Sequence, residues 1–377
     1  MGSMVLSPGA QGPTGSSLYA LGSRPAMKGQ ILRVVSSQSL LVTGGAGFIG
    51  ANLVDRALRA GNRVTILDDL SRRGGEENIR WLREQHGESF RLIVRSVTDV
   101  ESCGRAVDNA EVVYHLAGQV AVTSSVSDPR HDFEVNALGT FNVLEAARKS
   151  FHQPIVIYSS TNKVYGGLDH IPTIELETRH AFRDLPEGIS EEEPMDFHSP
   201  YGCSKGAADQ YVRDYARIYN LPAVVFRQSC IYGPRQMGVE DQGWVAWFVI
   251  AAATGRPITI YGDGKQVRDL LYIDDLLNAF DAAVDKIDVA RGQVYNMGGG
   301  AANSISIWQE FKPLLEDALD RPLPDPELAP ARPADQPVFI ADTRKCQRDL
   351  GWSPEVTVAD GLKRLADWVV ENQSLFN

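Results

Sequence analysis

The sequence predicts an α/β fold whose mostly parallel sheet carries helices on both faces, and three observations predict it. Short apolar runs alternate with longer amphipathic segments between Ser39 and Arg227. A glycine-rich turn, Gly44-Gly45-Ala46-Gly47-Phe48-Ile49-Gly50, stands directly between the first run and the first helical pattern. The second run ends on a carboxylate, Asp68. Short strands that alternate with helices cannot pair as hairpins; each helix carries the chain back, so the strands end up parallel and doubly wound.

Taken in order, Ser39–Thr43 is a strand because it is a short, nearly unbroken apolar run bounded by glycine. Ala51–Ala60 has helical periodicity, and Val64–Leu67 is the next strand. Arg91–Val94, Val112–Leu116, Ile155–Tyr158 and Val224–Arg227 repeat the strand pattern, with helices over Asp132–Lys149 and Tyr201–Tyr219. Residues 166–200 break the rhythm with acids, prolines and histidines, and read as a long loop or small subdomain that covers a site or an interface. After Gly233 come aromatic and Arg-rich pieces, a proline-rich stretch at Leu314–Pro337 and a helix at Val358–Asn372.

The expected organisation is therefore a Rossmann-type doubly wound parallel sheet over residues 36–232, interrupted by the 166–200 insertion, and a smaller C-terminal α/β substrate lobe over 233–377. Residues 269–297 partly return to the first unit. Residues 1–35 are rich in Gly, Ser and Pro with almost no charge, the composition of a disordered extension.

Bulk properties narrow the function. A formal net charge of −11 argues against a general nucleic-acid surface. Apolar stretches are broken well short of the ~20 residues that cross a bilayer. The four cysteines, Cys103, Cys203, Cys230 and Cys346, have no paired metal or disulfide spacing, which points to the cytoplasm as a reducing compartment. The histidines are dispersed, so no metal site is expected.

The glycine turn is placed for a dinucleotide. Gly44 permits the tight turn, Gly47 permits close approach of a pyrophosphate, and Gly50 permits helix–strand packing, while amides at the helix start face the phosphates. Asp68 stands where a carboxylate accepts hydrogen bonds from the adenosine ribose and repels a 2′-phosphate, which favours NAD over NADP. Arg72 and Arg73 either soften that preference or form a solvated pair.

The chemical centre lies further along. Ser159-Ser160-Thr161 follows the Ile155–Tyr158 strand, and Tyr201 and Lys205 are four apart at the start of a helix, hence on one face. An ammonium near a phenol favours the phenolate and brings it into an acid/base range. In this reading Tyr201 exchanges the proton of a substrate hydroxyl, Thr161 orients that hydroxyl, and the carbon-bound hydrogen goes to nicotinamide.

These motifs resemble the nucleotide-sugar epimerase/dehydratase branch of the extended short-chain dehydrogenase/reductases, over roughly Leu40–Trp368. HLAGQVAVTSS at His115–Ser125, YSSTNKVYG at Tyr158–Gly166 and HSPYGCSKGAADQY at His198–Tyr211 carry a narrower likeness, to the CDP-paratose 2-epimerases, also called CDP-tyvelose 2-epimerases. FRQSCIYGPRQ at Phe226–Gln236, DQGWVAWF at Asp241–Phe248 and GDGKQVRDLLYIDD at Gly262–Asp275 extend it. The resemblance implies catalytic roles for Thr161, Tyr201 and Lys205 and a cofactor pocket that includes Phe48, Ile49, Leu116, Ala117, Gln119, Asn136 and Ser159. It implies a tightly bound, recycled NAD, a nucleotide-diphosphate sugar, here CDP-linked, and a homodimer or homotetramer.

Two departures stand out. Relatives carry Gly-Asp after the third strand where this chain has Ser96-Val97, and many carry Asn in place of Cys230. Asn162-Lys163 follows Thr161 where a 4,6-dehydratase has Asp-Glu for proton transfer and elimination, so the resemblance favours epimerisation at C2 through a transient ketone, converting CDP-paratose to CDP-tyvelose. A UDP-sugar 4-epimerase is the alternative, and a noncatalytic NAD-binding protein a more distant one. Arg235, Arg268 and Arg332 suit a diphosphate, since guanidinium geometry matches paired phosphate oxygens. Thr123, Ser124, Asn162 and Gln236 are either sugar contacts or structural residues, and Trp244, with Trp247 and Phe248, is either pocket wall or core. Asp335 suits a ribose or lobe-to-lobe contact.

Overall fold

A computed structural model describes residues 37–331 and 336–376. Residues 1–35, Arg332 and Asp335 lie outside the described residues. From Ser37 onward the chain forms one unit.

The first strands and helices alternate strictly: β1 (Ser39–Thr43), α1 (Phe48–Arg59), β2 (Arg63–Asp68), α2 (Gly75–His86), β3 (Phe90–Val94), α3 (Val100–Val107) and β4 (Val112–His115). Three helical segments follow, α4 (Val122–Ser127), α5 (Pro129–Phe133) and α6 (Gly139–Lys149), with a π-helical turn at Glu134–Leu138 between the last two. β5 (Ile155–Thr161) leads through the short hairpin β6 (Thr173–Glu175) and β7 (His180–Phe182) to the long helix α7 (Pro200–Tyr219) and β8 (Ala223–Gln228).

The C-terminal part contains β9 (Cys230–Tyr232), α8 (Trp244–Thr254), β10 (Thr259–Tyr261), β11 (Val267–Tyr272), α9 (Ile273–Asp285), α10 (Ile287–Ala290) and β12 (Val294–Met297). After them come β13 (Ser304–Ser306), α11 (Phe311–Leu319), β14 (Glu327–Ala329), β15 (Val338–Phe339), α12 (Arg344–Leu350) and α13 (Val358–Glu371).

The principal sheet has seven parallel strands in the order β12-β8-β5-β4-β1-β2-β3. The chain starts in the middle and winds outward both ways, so the C-terminal strand ends meet along one edge, the place where such folds bind ligands. The burial patterns of β4 and β8 are unbroken, as expected of strands covered on both faces. One core packs α1, α9 and α13 with strand residues such as Val42, Ile66 and Phe226; a second packs α3, α6 and α7 against the other face through Val143, Leu144, Ala208 and Val212.

A smaller sheet joins β9, β13 and β15 to β11, and β10 pairs with β14. Within residues 269–297, β12 thus belongs to the principal sheet and the strand part to the smaller one. The 166–200 insertion packs its apolar residues Leu168, Ile171, Phe182 and Ile189 against Val338–Ala341 in a third core. Arg179 meets Glu310 at 2.5 Å, and His180 meets Asp263 at 2.8 Å, tying the hairpin to the C-terminal part. No helix among the described residues is long and apolar enough to cross a membrane.

Candidate active site

At the junction of β1 and α1 the backbone makes the turn its glycines allow. Gly44 has φ +71°, and a Cβ there would lie 2.6 Å from the Ala117 amide. At Gly50 a Cβ would lie 2.2 Å from the Gly44 carbonyl oxygen, so any side chain would push the helix off the strand. Gly47 caps α1 with extended backbone and no side-chain cap, leaving the first amides of the helix to face the cavity. A cradle with open donors and close backbone approach fits a pyrophosphate.

Asp68 ends β2 on the same cavity. Its Oδ2 accepts from the Ala46 amide at 2.9 Å and its Oδ1 from the Leu70 amide at 2.8 Å, so the carboxylate also braces the glycine turn. Burial holds the carboxyl above its usual range, against the pull of those two amides.

β5 is longer than the sequence pattern indicates: it runs through Ser159 and Ser160 to Thr161, because β8 pairs with it as far as Gln228. α7 is started by the Ser199 hydroxyl, which accepts from the Gly202 amide, with Pro200 as its first residue. Tyr201 and Lys205 follow one turn apart. The Lys205 ammonium donates to the Ser159 carbonyl at 2.5 Å and lies 4.5 Å from the centre of the Tyr158 ring. Burial pushes the Tyr201 phenol up to about 12, opposed first by a hydrogen bond with Thr161 and then by the charge of Arg72; the lowering expected from Lys205 is not found in the cofactor-free protein, where that side chain is turned to the Ser159 carbonyl. Burial brings Lys205 down to about 7, opposed by Asp209 and Asp132.

These side chains rest on a polar scaffold. Asp132 accepts from the Ser204 hydroxyl at 2.5 Å and from Asn136 at 3.0 Å, while the Asn136 Nδ2 also donates to Ser204 at 3.1 Å. Asn136 thus braces α7 beside Lys205 without lining the cavity; its Oδ1 is buried with no partner, and a Cβ on Gly118 would come within 2.9 Å of it. On the other side of Lys205, Asp209 accepts from the Ser160 hydroxyl at 2.9 Å and pairs with Arg227. His115, between Thr43 at 2.7 Å and Thr140 at 2.9 Å, is held neutral by burial, its pKa lowered to about 3.

The cavity over the sheet edge has a volume of about 1080 Å³, enough for a dinucleotide with a second ligand. Gly44, Gly47, Phe48, Ile49, Gly50 and Asp68 line it beside the glycine turn, and Leu116, Ala117, Gln119 and Ser159 line it as well. Thr161, Tyr201 and Lys205 meet in its middle, and Thr123, Asn162, Arg235, Gln236 and Trp244 line the rest. Ser96 and Val97 also line the cavity, and Cys230 accepts from the Trp244 indole at 3.4 Å.

Asn136, Ser124 and Arg268 do not line it, and neither do Trp247 and Phe248. Asn136 acts from behind α7, as described. Ser124 is exposed on α4, a helical step beyond Thr123, and its carbonyl accepts from Ser127 at 2.9 Å. Arg268 is buried in β11, where its Nη1 donates to the Val267 carbonyl at 2.7 Å, with its charge within reach of the Cys230 thiol. Arg235 lines the cavity, but its guanidinium stacks 4.1 Å from the centre of the Trp81 ring and 5.5 Å from that of Trp368. Phe248 is core, packed edge-on against Trp244, Trp308 and Phe311.

Sequence reasoning missed Gln228 and the Arg72–Gln242 hydrogen bond that joins the β2–α2 loop to the segment before α8. Position at the C-terminal end of a central strand was the available signal for Gln228. Nothing local marks Arg72 and Gln242 as neighbours. Among the described residues no cluster of three metal-ligating side chains occurs.

The family model for GDP-mannose 4,6 dehydratase matches residues 41–365. The chain is 44% identical over 336 residues to the CDP-paratose 2-epimerase of Salmonella typhi, covering 87% of this chain and 98% of that protein. It is 34% identical over 329 residues to the UDP-glucose 4-epimerase of Mycolicibacterium smegmatis, covering 87% and 97%. Among solved structures, the Thermotoga maritima UDP-glucose 4-epimerase with UDP-glucose superimposes with a TM-score of 0.76 at 31% identity, covering 89% of this chain and 99% of that one. The Streptomyces venezuelae dTDP-glucose 4,6-dehydratase with NAD bound gives a TM-score of 0.75 at 28% identity, covering 89% and 98%.

Proposed function

Because the chain belongs to the GDP-mannose 4,6 dehydratase family, within the extended short-chain dehydrogenase/reductases, we propose that it is an NAD-dependent nucleotide-sugar epimerase converting CDP-paratose to CDP-tyvelose at C2. The observation that carries this reading is the meeting of Thr161, Tyr201 and Lys205 in one cavity with the glycine turn, while Asn162 and Lys163 occupy the positions after Thr161. Neither of those two side chains is an acid able to drive elimination. The 44% identity to a CDP-paratose 2-epimerase supports the choice of nucleotide and carbon.

The residues divide the work. Gly44, Gly47 and the first amides of α1 hold the pyrophosphate, Asp68 the adenosine ribose, and Lys205 the nicotinamide ribose. Bound NAD supplies the hydride acceptor and, in the return step, the hydride donor. Thr161 aligns the substrate hydroxyl with Tyr201, which as the phenolate takes its proton while the ketone forms and as the phenol returns it after the sugar has presented its other face; the cationic ring of bound NAD would offset the burial that holds the phenol high in the cofactor-free protein. Both proton transfers use the same phenol, so the cycle closes without net consumption of cofactor. Enclosure keeps the ketone beside the cofactor until the second transfer.

The 34% identity to a UDP-glucose 4-epimerase favours, as a second reading, inversion at C4 of a UDP-sugar by the same three residues. The test is turnover of a panel of CDP-, UDP-, dTDP- and GDP-sugars, with the inverted carbon assigned by NMR. Inversion of CDP-paratose at C2 with no accumulation of NADH is expected. Inversion only at C4, or elimination of water, would overturn the assignment.

The reading extends to assembly. Phe133, Leu138 and Phe141 on one side, and Tyr211, Ile218 and Tyr219 on α7, are exposed apolar residues. Phe141 contacts Tyr211 edge-on at 5.9 Å, so the two sets join. A patch of this kind on paired helices suits a twofold interface between copies of the chain. Light scattering should give a dimer or a multiple of one, and Phe141→Glu with Ile218→Glu should dissociate it; a parent that is monomeric at micromolar concentration would remove the proposal. Four free cysteines accord with a cytoplasmic location.

A further inference from the structure

β8 ends at Gln228, which is in register with Thr161 on β5 and with Met297 on β12. The side chain is 7% exposed, it lines the cavity, and its Nε2 has no hydrogen-bond partner. Its chain neighbours are all engaged. Arg227 is bonded to Asp209, Ser229 donates to the Asp269 carboxylate at 2.5 Å, and Cys230 accepts from Trp244.

Most buried donors in folded proteins are paired, because stripping one of water without compensation is unfavourable, and of the described buried donors without a partner Gln228 Nε2 alone belongs to a residue that lines the cavity. An idle amide donor on a cavity wall is satisfied when a ligand oxygen arrives. The register places this one directly beside Thr161, the residue that hydrogen-bonds Tyr201, and therefore at the reacting end of the cavity. The strand that carries it is bonded on both sides, so the donor is held rigidly, as recognition of a single atom requires.

We propose that Gln228 is a substrate-positioning residue whose side-chain amide donates a hydrogen bond to an oxygen of the sugar ring substituents next to the carbon being inverted. This rests on the reading of the chain as a nucleotide-sugar epimerase. A carboxamide does not titrate, so its contribution is the same at every working pH, unlike that of Tyr201 or Lys205. Its pairing with Thr161 rather than with the glycine turn makes the sugar, not the cofactor, the group its loss should act on.

The experiment compares Gln228→Met, which keeps length and removes the donor, with Gln228→His, which restores an N–H, both as purified protein with its cofactor. CDP-paratose turnover, CDP affinity by calorimetry, and NAD released on denaturation are measured for each. Gln228→Met is expected to lower kcat/KM for CDP-paratose about tenfold, the usual scale for a lost hydrogen bond to substrate. CDP affinity, NAD content and the pH profile stay within twofold of the parent, and Gln228→His recovers most of the loss. The proposal is overturned by unchanged kcat/KM in Gln228→Met, by a parallel loss of NAD or of CDP affinity, or by equal impairment of both variants, which would mean packing. A parent inactive on CDP-paratose would sink the substrate assignment and this inference with it; an active parent indifferent to Gln228→Met would sink this inference alone.

Discussion

Arg227 grips Asp209 through two hydrogen bonds, Nε to Oδ2 at 2.9 Å and Nη2 to Oδ1 at 3.0 Å, with the side chains only 3% and 0% exposed. Asp209 sits four residues beyond Lys205 on α7 and accepts from the hydroxyl of Ser160, the residue before Thr161, while Arg227 lies on β8, so the pair ties α7 to the strands beside it. Arg227 also donates to the Tyr165 hydroxyl at 2.9 Å, which reaches Asn296 at 2.8 Å. Removing one partner strands a buried charge. Asp209→Leu or Arg227→Met alone should therefore cost about 3–5 kcal/mol of stability, while the two together should cost clearly less than the sum of the singles. Urea unfolding of the four proteins checks this, and simple additivity would refute the coupling.

Tyr201 is held by a helix whose start is fixed by Ser199 and whose far side is braced by Asp132, Asn136 and Ser204, so its ring position does not depend on its hydroxyl. Tyr201→Phe should keep the fold and the bound NAD and reduce kcat by roughly 10²–10⁴, the range for loss of a general acid–base group. Near-normal turnover in a variant with full NAD content would exclude the phenol from proton exchange.

How far the site can be read from the chain depends on the range of the interactions that build it. The β1 turn, α1 and Asp68 are encoded within thirty or so residues by glycine, periodicity and one carboxylate, and sequence suffices for them. The end of β5 is not local. Ser159–Thr161 have no apolar pattern, and they continue the strand because Phe226–Gln228, far along the chain, offers backbone partners. The helix read over Asp132–Lys149 is interrupted by the π-helical turn at Glu134–Leu138, which contains Asn136; periodicity does not register the extra residue in that turn. Arg235 reads as a diphosphate ligand by type, and only the folded chain brings Trp81 and Trp368 to its two sides.

Asp68 does two things at once, and its substitutions should separate them. The carboxylate faces the cavity, where the proposed ribose contact would select against a 2′-phosphate, and it accepts from the Ala46 and Leu70 amides that shape the turn. Asp68→Asn removes the charge but keeps one carbonyl acceptor, whereas Asp68→Ala removes both. Both should lower the preference for NAD over NADP about tenfold or more, and Asp68→Ala should lose more thermal stability, by about 1 kcal/mol for each orphaned amide. Cofactor titrations of the stripped protein measure the first effect; an unchanged NAD/NADP ratio in both variants would rule out the ribose contact.

Lys205 gives the site a pH dependence whose sign follows from burial. With the ammonium pulled down to about 7, the cofactor-free protein carries it only partly protonated at neutral pH. If NAD binds with its ribose hydroxyls at Lys205, as proposed, those oxygens and the pyrophosphate charge would favour the protonated form, so the pKa would rise on binding and binding would take up protons in the interval between the free and bound values. Affinity for NAD should therefore fall as pH rises above about 7, by up to tenfold per unit, until the bound pKa is passed. Calorimetry at pH 8 in buffers of different ionisation enthalpy should report uptake approaching one proton per site, and Lys205→Arg, charged throughout, should abolish it. Binding that takes up no proton at pH 8 in the parent would show that NAD does not raise the Lys205 pKa, and would remove the proposed contact between that ammonium and the cofactor.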